Sequence, residues 1–121
     1  MRLIPPDIRE KIASDPFMRY CIYERSDAPN RRCRGRITWE HAWIYAGKQI
    51  IDPWATVPCC EAHNSGEAMV KDFNRYVSLL RADIKDLQIQ YPKKNWAQEL
   101  KFLTDKYAKD KGKGSAERRP K

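Results

Sequence analysis

Apolar residues recur with different periods along this chain, and the changes of period mark its elements. At the start, Pro5-Pro6-Asp7 opens a short helical candidate with Ile8 and Ile12 on one face, ended by Ser14-Asp15-Pro16. A helix this short needs tertiary support and is expected to pack across the cysteine-rich segment that follows. From Arg34 to Trp43 the pattern alternates as in a strand. Ile37, Trp39 and His41 fall on one side, and Arg36, Thr38, Glu40 and Ala42 on the other. Glu40 and His41 therefore face opposite ways unless the strand ends or bends between them. Residues 44–48 read as a loop with a glycine turn, and Gln49-Ile50-Ile51 starts a second strand that Asp52-Pro53 breaks. Residues 54–58 then run extended into Cys59-Cys60.

After Asn64 the period lengthens. Ser65-Gly66 precedes Met69, Val70, Phe73, Tyr76, Val77, Leu80, Ile84 and Leu87, which recur at three- and four-residue steps as the core face of a helix. Tyr91-Pro92 ends it. Asn95 is placed to cap a last helix with Trp96, Leu100, Leu103 and Tyr107 on one face. Beyond Ala108 apolar residues all but vanish, which predicts disorder. The pattern gives an α+β fold with no internal repeat: a helical flank at 1–20, a central domain at 21–90, a C-terminal helix at 91–108 and a disordered basic tail at 109–121.

Composition narrows this picture. The chain has 121 residues, a mean hydropathy of −0.82 and 33% charged side chains, so one modest core is expected. A structural metal would help so polar a chain, because metal binding free energy becomes folding free energy. No apolar run is long enough to span a membrane, and the N-terminus lacks the apolar block of a signal peptide. A cytoplasmic setting follows by default, where four cysteines favour metal ligation over disulfides.

The formal charge is +8, and residues 109–121 hold six basic and two acidic side chains, half of that excess. Arg31, Arg32, Arg34 and Arg36 fall within six positions. Such clusters suit phosphate contacts and point to a polyanionic partner.

Every cysteine except Cys21, and both histidines, lie between Cys33 and Asn64. Cys60-x-x-His63 has the spacing that turns two ligands onto one ion, and Cys21 and Cys33 complete a tetrahedral Cys₃His set for structural Zn²⁺. Cys59 is the spare, suited to an apolar role. A second cluster is Glu40, His41 and Asn64: two hard oxygen donors suited to Mg²⁺, and an imidazole whose proton affinity lies near neutrality.

The order of cysteine, cysteine, acidic-His and Cys-x-x-His-Asn before a helix resembles the HNH (ββα-metal) endonucleases, in particular the small zinc-bearing kind of phages and prophages. The match covers Cys33 to Asn64. The resemblance implies a ββα-metal core with a structural zinc knot, flanked by N- and C-terminal helices. It implies a DNA endonuclease with His41 as general base and Mg²⁺ or Mn²⁺ on Glu40 and Asn64. Zn²⁺ would sit on Cys21, Cys33, Cys60 and His63.

Departures from the family pattern are specific. Its middle asparagine falls by counting on Trp54 or Ala55, with Asp52 or Gln49 as substitutes, and Glu40 stands for the commoner aspartate. Eleven residues separate Cys21 from Cys33 instead of two. Arg34, Arg36, Lys48, Lys71 and Arg75 are expected to meet phosphates of DNA, or of RNA. Trp43 or Tyr45 are further candidates, to stack on bases. The alternative reading is a zinc-stabilised nucleic-acid-binding module without hydrolysis. A zinc domain that binds an acidic protein ranks third.

Overall fold

The computed structural model describes residues 4–30, 32–64 and 69–117. Arg31, Ser65-Gly66 and residues 118–121 of the expected tail lie outside the described residues.

The alternating segment becomes strand β1 (Ile37–His41), which pairs antiparallel with β4 (Thr56–Cys60) from Ile37↔Cys60 to His41↔Thr56. The pairing continues past the ladder, since Ala42 N donates to Ala55 O at 2.8 Å and Ile50 N to Trp43 O at 2.9 Å. Between these lies a hairpin, β2 (Ile44–Tyr45) and β3 (Lys48–Gln49), where the sequence suggested only a loop. Its two-residue turn has Ala46 at φ 52° and Gly47 at φ 82°. Positive φ at both positions matches the right-handed twist of the strands it joins. The strand expected from Gln49 onward thus starts one residue earlier and ends at Gln49. Residues 53–55 form a 3-10 turn, so the extended run begins only at Thr56.

Helix α1 (Pro6–Ser14) buries Ile12 and packs mainly on the turns at Pro16–Arg19 and Pro53–Ala55, instead of across the cysteines. A 3-10 turn at Ile22–Glu24 takes that place beside β4. The single helix expected after Met69 is two: α2 (Lys71–Arg81) and α3 (Ile84–Gln90). Asp83 explains the break, because its side chain accepts the N–H of Asp86 at 3.2 Å and caps a new helix. Within α2 Leu79 is buried, and Leu80, expected on the core face, is exposed. Asn95 accepts the N–H of Gln98 at 3.1 Å ahead of α4 (Trp96–Glu117), whose backbone runs past the boundary expected at Ala108.

Trp96 is the centre of the core, with Trp43 at 5.1 Å, Trp54 at 5.9 Å, Tyr91 at 6.1 Å and Tyr45 at 6.5 Å between ring centroids. This aromatic cluster fastens the hairpin to α4. It also consumes Trp43 and Tyr45: Trp43 donates its indole N–H to Ser78 at 2.7 Å, and the Tyr45 hydroxyl accepts the N–H of Lys93 at 2.8 Å. Trp43 is thereby buried in the core, whereas Tyr45 is half-buried and borders a surface cavity. No helix among the described residues is long and apolar enough to cross a membrane.

Candidate metal centre and adjoining cleft

Four side chains expected to share an ion do converge. The ligand atoms of Cys21, Cys33, Cys60 and His63 all lie within 4.8 Å of one another. His63 Nδ1 is 3.2 Å from Cys60 Sγ and 3.8 Å from Cys21 Sγ. Edges of a tetrahedral zinc site with thiolate and imidazole ligands are about 3.3–3.8 Å. The cluster is thus a Cys₃His set that could hold a metal ion such as zinc.

Local backbone geometry builds it. The Cys60–His63 turn is closed by His63 N donating to Cys60 O at 3.0 Å, which brings the imidazole back over the thiol. The opposing strand enters through Cys33-Arg34-Gly35, where Arg34 N donates to Cys60 Sγ at 3.2 Å and Ala62 N to Arg34 O at 3.1 Å. Gly35 allows this approach: its φ is +88°, and a Cβ there would lie 2.9 Å from Glu61 Cβ. On the far side, Tyr23 N donates to Cys21 Sγ at 3.4 Å. The eleven-residue gap between Cys21 and Cys33 is therefore spanned by a turn and a loop, each with its own function.

That loop carries Asn30, whose Oδ1 is hydrogen-bonded to His63 Nε2. An imidazole donating from Nε2 offers the Nδ1 lone pair to the cluster, which fixes the ligand atom. The Tyr23 ring stacks on His63 at 4.1 Å between centroids with 2° between planes, so the imidazole is held in plane as well.

Electrostatics favour Cys60 as the first thiolate. Burial opposes its ionisation, yet the N–H groups of Arg34, His63 and Ala62 outweigh this and lower its pKa. Burial raises Cys21, and burial together with the neighbouring Cys21 and Cys60 thiols pushes Cys33 up to about 12. A dication at the centre would supply the missing stabilisation for those two. Burial lowers His63, which keeps it neutral as a ligand must be. Cys59 is fully buried, its thiol pushed up by burial, in keeping with its expected apolar role.

The second cluster lies in a cleft of about 180 Å³ lined by Glu40, His41, Gln49, Lys71, Asn74 and Arg75 together with Ala42 and Ile44. Glu40 and His41 both line this cleft although they are successive residues of β1, paired with Val57 and Thr56 of β4. The opposite wall is α2, where positions 71, 74 and 75 share one face. Burial raises the Glu40 carboxyl above its ordinary pKa, and Lys71 partly opposes this. His41 is 9% exposed with its Nδ1 buried.

Asn64 is not among the residues lining that cleft. Its Nδ2 donates to Thr38 Oγ1 at 2.6 Å, and Thr38 shares a face of β1 with Glu40. Of the two substitutes for a middle asparagine, Asp52 accepts the Tyr91 hydroxyl at 2.9 Å and borders another cavity, whereas Gln49 lines the cleft with His41. The counted positions do not serve: Ala55 is fully buried and Trp54 packs on Trp96. Lys71 and Arg75 stand in the cleft. Arg36 instead pairs with Glu61 at 3.2 Å, Arg34 has an exposed side chain beside the metal cluster, and Lys48 borders the cavity that Asp52 shares.

Sequence reasoning missed Asn30, Tyr23 and Asn74. Asn30 entered it only as part of a turn signal, and Tyr23 stood two positions from a cysteine in an unremarked helical turn. Comparison of the chain with protein-family models, with curated proteins and with solved structures finds no match.

Proposed function

We propose that the chain is a metal-dependent endonuclease of the HNH kind that hydrolyses phosphodiester bonds in DNA on a zinc-stabilised ββα scaffold. One observation carries this reading: a carboxylate and a histidine on a strand end face a helix wall of Lys71, Asn74 and Arg75 across a single cleft. The strand wall supplies a base and an anionic ligand, and the helix wall supplies donors for phosphate oxygens.

The roles follow from position. Cys21, Cys33, Cys60 and His63 would hold zinc, which would lock the turn that ends β4 against the segment entering β1. His41 takes a proton from the attacking water, through Nε2 because Nδ1 is buried. Gln49 lines the same cleft and would orient that imidazole. For the divalent ion, Glu40 would offer a carboxylate, and Asn64, whose Nδ2 is bonded to Thr38 Oγ1, would offer its carbonyl oxygen. This hard-oxygen set fits Mg²⁺ or Mn²⁺, which would polarise the scissile phosphate and stabilise the leaving oxygen. Lys71 and Arg75 hold the phosphodiester against the helix.

A second reading, a zinc-stabilised nucleic-acid-binding module without hydrolysis, is favoured by the core positions of Trp54 and Ala55, which leave the orienting role to a longer side chain. Incubating zinc-loaded protein with plasmid, single-stranded and branched DNA in Mg²⁺ or Mn²⁺ separates the two. Nicking or strand cleavage is expected. Salt-sensitive binding with all three substrates intact would favour the second reading.

A further inference from the structure

Asn74 is the cleft residue to which neither charge nor motif drew attention. It lies on α2 between the two cations of the cleft and is only 2% exposed. Its Oδ1 accepts the Tyr23 hydroxyl at 2.7 Å, and the same hydroxyl accepts the N–H of Val70 at 2.8 Å, just ahead of α2. Tyr23 is fully buried and held flat on His63. A carboxamide whose oxygen is gripped from behind keeps its NH₂ group for the other side.

We propose that Asn74 is a phosphate-binding residue, donating from Nδ2 to a non-bridging oxygen of the phosphodiester in the Glu40–His41 cleft, and that Tyr23 fixes this donor by tying it to His63. The inference rests on the nucleic-acid reading above and adds a contact to it. Its chemistry suits a place where an anion and a dication must meet. A neutral donor binds a phosphate oxygen without repelling the dication, as a third lysine or arginine would. The same wall carries positive charge: Lys71 and Arg75 line the cleft with Asn74, Arg75 with its Nη1 3.6 Å from Asp72 Oδ1. A consequence is that the thiolate cluster does more than stabilise the fold. Through Tyr23 it sets the position of a substrate contact.

The test measures affinity without cleavage, by fluorescence anisotropy of a labelled branched DNA in Ca²⁺, with zinc content and melting temperature recorded for each variant. Asn74→Asp retains an oxygen for Tyr23 and nearly the same volume, but replaces the donor with a carboxylate. It is expected to bind at least about tenfold more weakly while keeping one zinc per chain. Asn74→Ala should lose roughly tenfold, the worth of one charge-assisted hydrogen bond. Tyr23→Phe keeps the stack on His63 and should lose about threefold at unchanged zinc content, since it frees the carboxamide to rotate.

If Asn74→Ala does not fold, Asn74→Asp decides. Zinc-loaded Asn74→Asp with wild-type affinity overturns the inference, and it does so alone if wild-type protein cuts DNA. Wild-type protein that binds without cutting overturns the hydrolytic reading, while weaker binding by Asn74→Asp still supports this one. Wild-type protein that neither binds nor cuts overturns both.

Discussion

Tyr23 lies flat on His63, ring centroids 4.1 Å apart and planes 2° apart, while Asn30 takes the imidazole's other nitrogen. One residue sets the plane of the ligand and the other its tautomer. Neither touches the ion, yet both determine whether Nδ1 points at the three thiols. Tyr23 also reaches Asn74, so it links the cluster to the cleft.

Asn30→Ala should therefore weaken metal binding although all four ligands remain. Loss of such a supporting partner typically costs roughly 10- to 100-fold in affinity. Competition with a chromophoric zinc chelator measures it, and unchanged affinity would show that the Asn30–His63 bond has no part in the site. Because each thiol must release its proton to solvent to bind the ion, affinity in the wild-type chain should also fall as pH is lowered.

Glu40 makes a prediction of opposite character, in which removing a charge helps the fold. Burial raises its folded-state carboxyl above the ordinary value. A raised pKa means that the protonated form is the one favoured by folding. That contribution is complete below the unfolded pKa and is lost as pH rises through the folded one, so the ionised group is a net cost at neutrality. Without added divalent ion, Glu40→Gln should melt higher than wild type at pH 7.5. The difference should shrink as pH falls toward the ordinary carboxylate range. A lower melting temperature at pH 7.5 would mean that attraction to Lys71 outweighs burial.

At the hairpin tip, Ala46 holds a left-handed conformation at φ 52°, which is unfavourable for any residue with a Cβ and least so for Asn or Gly. Ala46→Asn creates the Asn-Gly pair that two-residue turns of this type favour. Denaturant unfolding should show a gain of about 0.5–1 kcal/mol. No gain would place the strain elsewhere in the hairpin.

What the sequence disclosed was whatever has a local period or a short spacing. The alternation through Ile37, Trp39 and His41 yields β1, Cys60-x-x-His63 yields half of the cluster, and Asn95 before Trp96 yields a capped helix. What it hid depends on contacts between distant residues or on competition between local signals. The apolar stripe from Phe73 to Leu87 overrode the cap at Asp83, which is visible in retrospect as Asp83 three residues ahead of Asp86. Asn30 and His63 are 33 positions apart, and nothing in either neighbourhood announces the pairing. The need for glycine at Gly35 likewise comes from a distant residue, Glu61, whose Cβ would lie 2.9 Å from a Cβ there. Asn74 was masked by the core residues around it, because a helix face that is buried reads as apolar even when one member is polar.

The central claim is that His41 is the base of a hydrolytic site, and one comparison tests it most directly. Wild-type and His41→Ala protein, each carrying one zinc per chain and melting within a few degrees of the other, are assayed for cleavage of plasmid, single-stranded and branched DNA in Mg²⁺ and in Mn²⁺. The account predicts cleavage by wild type on at least one substrate and a loss of roughly 10²–10⁴-fold in rate for His41→Ala, the usual contribution of a general base. Equal rates for the two proteins, or background rates for both on every substrate, would contradict it.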